Sequence, residues 1–244
     1  MEFYAQFEVM DIEEYFTDEI MNQYYQISEE KIYNEYIESD FQPSTIGESY
    51  DIIAGEGDYA EYAGLCYIDL IASKKGKILI PNYLIQNGEK YLVIGLRKGF
   101  SGTSKDSSDL FIPRGANLSH IYFKPGSEVR IFKDGCFYND KNLQYIGDLD
   151  FSGLPMSLRQ IESEVFRHCS NLTLPANNSL AKNVYKIVST SEANAYSYNG
   201  AFKEDHTYAE LYIPSSLQII DGYGFANPNA KFTKIIIGSE SEPS

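Results

Sequence analysis

Apolar and polar residues alternate in short runs through most of the chain. Leu118-x-x-Ile121-x-Phe123, Tyr208-x-x-Leu211-x-Ile213 and Phe232-x-x-Ile235-x-Ile237 each place apolar residues at every second position at their ends. A period of two is what a strand with one buried face requires, so each run predicts a β-strand. Lys77-Ile78-Leu79-Ile80-Pro81 and Asp109-Leu110-Phe111-Ile112-Pro113 read the same way. The Pro lacks a backbone donor and ends the pairing there. Asn87-Gly88, set between two apolar runs, predicts a tight hairpin turn.

The first sixty residues follow another period. Ile12, Tyr15, Phe16, Ile20, Tyr24 and Ile27, then Ile32, Tyr33, Tyr36 and Ile37, recur at helical spacings of three and four within each run. That pattern predicts two short amphipathic helices. Asp11 with Glu14 resembles a capping box for the first, Ser28-Glu29-Glu30 starts the second, and Pro43 stops it.

The strand runs belong to a repeat. Leu154-Pro155-Met156-Ser157-Leu158-Arg159-Gln160-Ile161, ending at Phe166, aligns without gaps on Ile213-Pro214-Ser215-Ser216-Leu217-Gln218-Ile219-Ile220, ending at Phe225. In both, apolar residues fall 3, 6 and 11 positions after the Pro, and a Ser is shared. Starting points at 118, 143, 172, 208 and 232 step by 25, 29, 36 and 24 residues, the step of 36 carrying a polar insertion. A unit of about 20–29 residues with one strand and one returning segment means a leucine-rich-repeat solenoid.

The pattern Ile-Pro-x-x-Leu-x-x-Ile-x-x-x-x-Phe-x-x-Cys-x-x-Leu resembles the BspA-type leucine-rich repeat. Pro155, Leu158, Ile161, Phe166, Cys169 and Leu172 match it position by position, and Pro214, Leu217, Ile220 and Phe225 match again. Ile80-Pro81 through Gly99-Phe100 looks like an opening repeat, although Ile94 stands six rather than five residues before Phe100. The likeness covers about residues 65–238 and leaves the acidic segment outside it. It implies an α/β solenoid of irregular 23–29-residue units, to which the helical periodicity of the first sixty residues adds an acidic helical N-terminal cap. It also implies a surface or secreted protein that adheres to host matrix or to other microbes, which is binding without catalysis.

Composition sharpens the boundaries. The 244 residues carry 35 acidic and 20 basic side chains, a net charge of −15. Residues 1–60 hold 16 of the acidic residues and one basic residue, Lys31, so 61–244 is neutral. This divides the chain into an acidic, Tyr-rich segment, 1–60, and a solenoid, 61–244. The acidic segment reads either as a helical cap or as a docking surface for a basic partner. Net negative charge argues against nucleic acid, and no run approaches the ~20 apolar residues of a membrane helix. The start, Met1-Glu2-Phe3-Tyr4, has no basic region or apolar run of a signal peptide, which leaves a cytoplasmic location beside the surface one.

Catalytic constellations are missing from the sequence. There is no Gly-x-Ser-x-Gly elbow or P-loop, and Gly55-Glu56-Gly57 would set a carboxylate beside any phosphate. Cys66, Cys136 and Cys169 are too dispersed for a disulfide framework or a four-ligand zinc site. His168-Cys169 is the one neighbouring pair of soft ligands, and Cys169 occupies the repeat's core position. Asp148 and Asp150, with Asp140 and Asn142 upstream, lack the Gly and terminal Glu of a calcium loop. We therefore expect no catalytic residues, no metal and no cofactor.

What remains is a surface. A stack of parallel strands presents an extended concave face. The residue between the last two buried positions of each strand points outward, giving Leu79, Phe111, Tyr122, Tyr212 and Ile236, with Thr173 in a shortened strand and Lys234 nearby. Large apolar and aromatic residues there predict a strip for a protein or glycan ligand. The alternatives are that the N-terminal segment covers the strip, or that the chain is an architectural or oligomerisation segment with no ligand of its own.

Overall fold

In the computed structural model, residues 25–28, 55–70, 75–97, 99–101, 117–149, 153–172, 183–187, 210–220 and 234–238 are described. Among them are thirteen strands: β1 (Tyr25–Ile27), β2 (Gly64–Leu70), β3 (Lys75–Ile80), β4 (Tyr83–Gln86), β5 (Glu89–Leu96), β6 (Asn117–Phe123), β7 (Ile131–Phe132), β8 (Tyr145–Asp148), β9 (Gln160–Ile161), β10 (Lys186–Ile187), β11 (Glu210–Ile213), β12 (Ile219–Ile220) and β13 (Lys234–Ile237). One 3₁₀ turn, Gly57–Tyr59, precedes β2.

The strands form ladders because each repeat contributes one strand to each side of the stack. The longer ladder runs β1-β2-β5-β7-β9-β10-β12, with β4 paired to β5. Its pairs from β2 onward are parallel, apart from the β4–β5 hairpin. The other side carries β3-β6-β8 and, further along, β11-β13, again parallel. The hairpin turns through Asn87 and Gly88 at φ 55° and 84°, with Gln86 opposite Glu89. Two successive positive φ values are what a tight primed turn needs, and Asn-Gly accepts them best.

Between the ladders lies one core. Leu158, Ile161, Phe166, Cys169 and Leu172, the motif positions of the best-formed repeat, are all fully buried within it. Phe132, Phe137 and Phe166 pack from three positions with ring centroids 5.3 to 6.1 Å apart. The shared Ser of the repeat has a defined task. Ser157 Oγ donates to the Val129 carbonyl and Ser216 Oγ to the Val184 carbonyl, each at 2.8 Å, so this hydroxyl ties one repeat to the one before it. The returning turns stack as well: the amides of Gly99 and Gly135 donate to the carbonyls of Asp134 and Ser163. Gly99, Gly135 and Glu164 share this turn position, at φ 64°, 58° and 57°. Glycine accepts that conformation freely, whereas Glu164 is held there by its packing.

Two expectations change. Tyr25–Ile27, placed in a helix by periodicity, is a strand paired antiparallel with β2, Tyr25 opposite Leu70. Its Tyr25 ring enters the core beside Phe100, and its hydroxyl donates to the Leu79 carbonyl at 2.7 Å. The sheet edge offers backbone partners that local helical spacing cannot match. No α-helix occurs among the described residues, so the helical cap has no support there; residues 12–24 and 29–37 lie outside them. The second change concerns the opening repeat. Ladder register sets Leu96 beside Phe132 and Phe132 beside Ile161. Leu96, not Ile94, is thus the repeat's strand position, and five residues later Ser101 rather than Phe100 occupies the Phe position. The apparent six-residue spacing disappears.

Candidate functional site

The residues assigned to the outward strip fall in two places. On β3-β6-β8, Leu79 lies beside Tyr122 and Tyr122 beside Gly147, with Lys77, His120 and Tyr145 in the next row. Leu79 and Tyr122 are indeed separate from the main core, and they form a small cluster with Tyr145. They do not form an open strip, however, being 2% and 0% exposed. Leu149 packs onto them, and the chain folds back so that the Asp148 amide donates to the Gly153 carbonyl at 2.7 Å. Gly147 makes this roof fit, since a Cβ there would lie 2.2 Å from the Gly153 oxygen. His120, half-buried, stacks on Tyr122 at 5.8 Å.

The second place is β11-β13. Glu210 pairs with Lys234, Leu211 with Ile235, Tyr212 with Ile236 and Ile213 with Ile237. Register therefore brings Tyr212, Lys234 and Ile236 together on two adjacent strands. Lys234 is exposed and Ile236 half-buried, while Ile235 and Ile237 are 52% and 72% exposed. Phe111 and Thr173 lie outside the described residues.

Sequence reasoning missed the outer face of the longer ladder. Tyr67, Gly95, Ile131, Gln160, Lys186 and Ile219 stand in one cross-strand row. Beside it, Arg97 bonds Asp69 at 3.2 Å, Lys133 bonds Glu162 at 2.8 Å, and Gln26 reaches Asp69 at 3.1 Å. Lys133 Nζ also sits 5.7 Å from the centre of the Tyr67 ring. Gly95 permits this, because a Cβ would fall 2.5 Å from Ile131 and 2.8 Å from Tyr67. Tyr59 and Tyr62 pack over the apolar part, and Tyr59 donates to Glu128 at 3.1 Å. The signal in the sequence is the alternation of Cys66, Ile68 and Leu70 with Tyr67 and Asp69.

Chemically the described residues offer packing and charge pairing. Cys169 is buried with its Sγ 3.0 Å from the Phe137 carbonyl, while His168 lies edge-on to Tyr138 at 5.6 Å. The two soft ligands thus engage different neighbours. Burial pushes the Cys66 thiol up to about 12, which keeps it protonated and unreactive. Among the described residues no group of three or more His, Cys, Asp or Glu side chains is placed to hold a metal ion. No helix among them is long and apolar enough to cross a membrane.

Stacked parallel strands, a buried Phe-x-x-Cys-x-x-Leu turn and a hydroxyl tie between repeats define a leucine-rich-repeat protein. The BspA type leucine rich repeat region matches residues 114–197 and 132–242, in six copies, and the chain belongs to that family. A comparison with curated proteins finds no match. Among solved structures the chain is similar to the T. pallidum leucine rich repeat protein, with 15% identity over 70% of this chain and 63% of that one, TM-score 0.43. A leucine-rich repeat protein from Bacteroides ovatus is 17% identical over 70% of this chain and 37% of that one, TM-score 0.45. The pneumococcal vaccine antigen PcpA is 15% identical over 74% of this chain and 47% of that one, TM-score 0.42. The chain spans between 37% and 63% of the length of these three relatives.

Proposed function

We propose that the chain is a non-catalytic binding module that takes a protein partner on the accessible end of its ladders, the outer part of β11–β13 with Ile220 of β12. One observation carries this reading. Among the described residues, Ile220, Ile235 and Ile237 are exposed aliphatic side chains on the last strands, and on the other face of β13 Lys234 is exposed and Ile236 half-buried, with Tyr212 opposite Ile236 in the register. Exposed apolar area near a charged residue is the composition of an interaction patch. Phe111 and Thr173 belong to the same assignment on sequence grounds alone. In this reading the partner is met in adhesion or host–microbe recognition at the cell surface or by a secreted form, a role that membership of the family supports. Residues 1–60 serve this module as a cap, which the pairing of β1 with β2 supports.

Binding of the full chain to a panel of extracellular-matrix proteins, followed by biolayer interferometry, tests the reading. Saturable binding to at least one of them, weakened tenfold or more by combined Lys234→Glu, Ile236→Ser and Ile237→Ser, is the expected result. Binding to none, or binding indifferent to these changes, overturns it.

A second reading draws on a specific feature of the same place. Ile220, Ile235 and Ile237 stand in the columns that elsewhere form the core, so this end also suits oligomerisation or stacking against another repeat. A molar mass by light scattering that doubles with concentration, and reverts to monomer in the triple variant, would favour it.

A further inference from the structure

The turn that follows the opening repeat departs from the family pattern at two places that touch. Register puts Ser101 where the next two repeats have Phe137 and Phe166. Asp140, three residues after Phe137, holds the place that Cys169 holds three residues after Phe166. In the regular pair of repeats, the Cys169 Sγ lies 3.0 Å from the Phe137 carbonyl, inside the apolar core. One repeat earlier, the Ser101 hydroxyl donates to Asp140 Oδ2 at 3.1 Å, and both residues are 0% exposed. The second carboxyl oxygen, Oδ1, is buried and meets no donor among the described residues.

We propose that Ser101 and Asp140 form a pH-sensitive latch between the first and second returning turns, closed while the Asp140 carboxyl is neutral and opened to water when it ionises. The reason is electrostatic. A carboxylate sealed from solvent is very costly unless a cation or several donors surround it. Among the described residues the favourable influences are the Ser101 hydroxyl and the Leu143 amide, and burial outweighs both, pushing Asp140 up to about 8. The charged and titratable groups on the turns packed against it do not relieve this. Glu164 and Arg167 pair with each other, His168 lies against Tyr138, Lys141 is exposed, and Cys136 and Cys169 are buried thiols. Lys133 and Arg97 are engaged by Glu162 and Asp69 on the ladder's outer face.

The sign follows from linkage. The closed turn holds a proton that the opened, hydrated turn gives up at the ordinary aspartate value. Opening therefore becomes easier by about tenfold per pH unit between about pH 4 and pH 8, and levels off above. The test is amide hydrogen exchange of the full chain at pH 5, 8 and 9.5, corrected for the intrinsic pH dependence of exchange. Peptides over 99–101 and 135–143 should lose protection at least tenfold between pH 5 and 8 and change little beyond, while 153–169 does not follow. Asp140→Asn should abolish the difference. Asp140→Cys, which installs the next repeat's own residue, serves the same purpose should the Asn variant fold poorly. Protection that is independent of pH in the parent chain, or an equal loss in both variants, overturns the latch.

Discussion

The two ends of the ladders are built from the same kind of strand and meet solvent differently. At the first end, β1 turns back antiparallel onto β2, and Tyr25 is sealed to 4% exposure. At the other, β12 and β13 carry core-column residues, yet Ile220, Ile235 and Ile237 are 50%, 52% and 72% exposed. The column Leu96, Phe132, Ile161, Ile187, Ile220 shows the change along a single line, fully buried until its last member. The apolar pattern is equal throughout. What differs, among the described residues, is whether a further strand pairs beyond. In a solenoid each repeat contacts only its neighbours, so burial belongs to the stack and not to the residue.

The sharpest way to break this comparison is to truncate the same column in the middle and at the end. Ile161→Ala should destabilise by about 2–5 kcal/mol in denaturant unfolding. Ile220→Ala should lose less than about 1 kcal/mol, because half of that side chain already meets water. Equal losses would refute the open end. The closed end is tested next. Tyr25→Phe keeps the ring beside Phe100 but leaves the Leu79 carbonyl without its donor, for about 1–3 kcal/mol. Chemical unfolding of that variant should show the loss. Ser157→Ala removes a tie within the stack and should lose about 1 kcal/mol, the same order as Ser216→Ala. The smallest effect is expected at His168, held at φ 63° where the preceding repeat has Asn139 at 59°. His168→Asn should raise stability by under about 1 kcal/mol, visible as a small rise in Tm.

Much of this was legible in the chain. Period-two runs located β3, β6, β11 and β13, with a Pro directly closing β3 and β11, and Asn87-Gly88 located the hairpin, because strand faces and primed turns leave local marks. The motif positions from Leu158 to Leu172 identified the core for the same reason. Three features left no local mark. Tyr25–Ile27 is a strand because a sheet edge lies beside it, which helical spacing cannot report. Leu79 and Tyr122 point away from the main core, as their alternation implies, but the fold-back that covers them is written at Gly147 and Gly153, far along the chain. The Ser101–Asp140 pair needed three-dimensional register, since the sequence alone aligned Phe100 with the Phe position.

The central claim is that protection is conferred by stacking and runs out at the last strands. Amide hydrogen exchange of the full chain at a single pH of 7, resolved by peptide, measures this directly. Residues 64–70, 89–96 and 153–169 should exchange over hours, and 210–220 and 234–238 at least a hundredfold faster. Equal protection at both ends would mean that the last strands are covered, and would remove the surface on which the proposed binding rests.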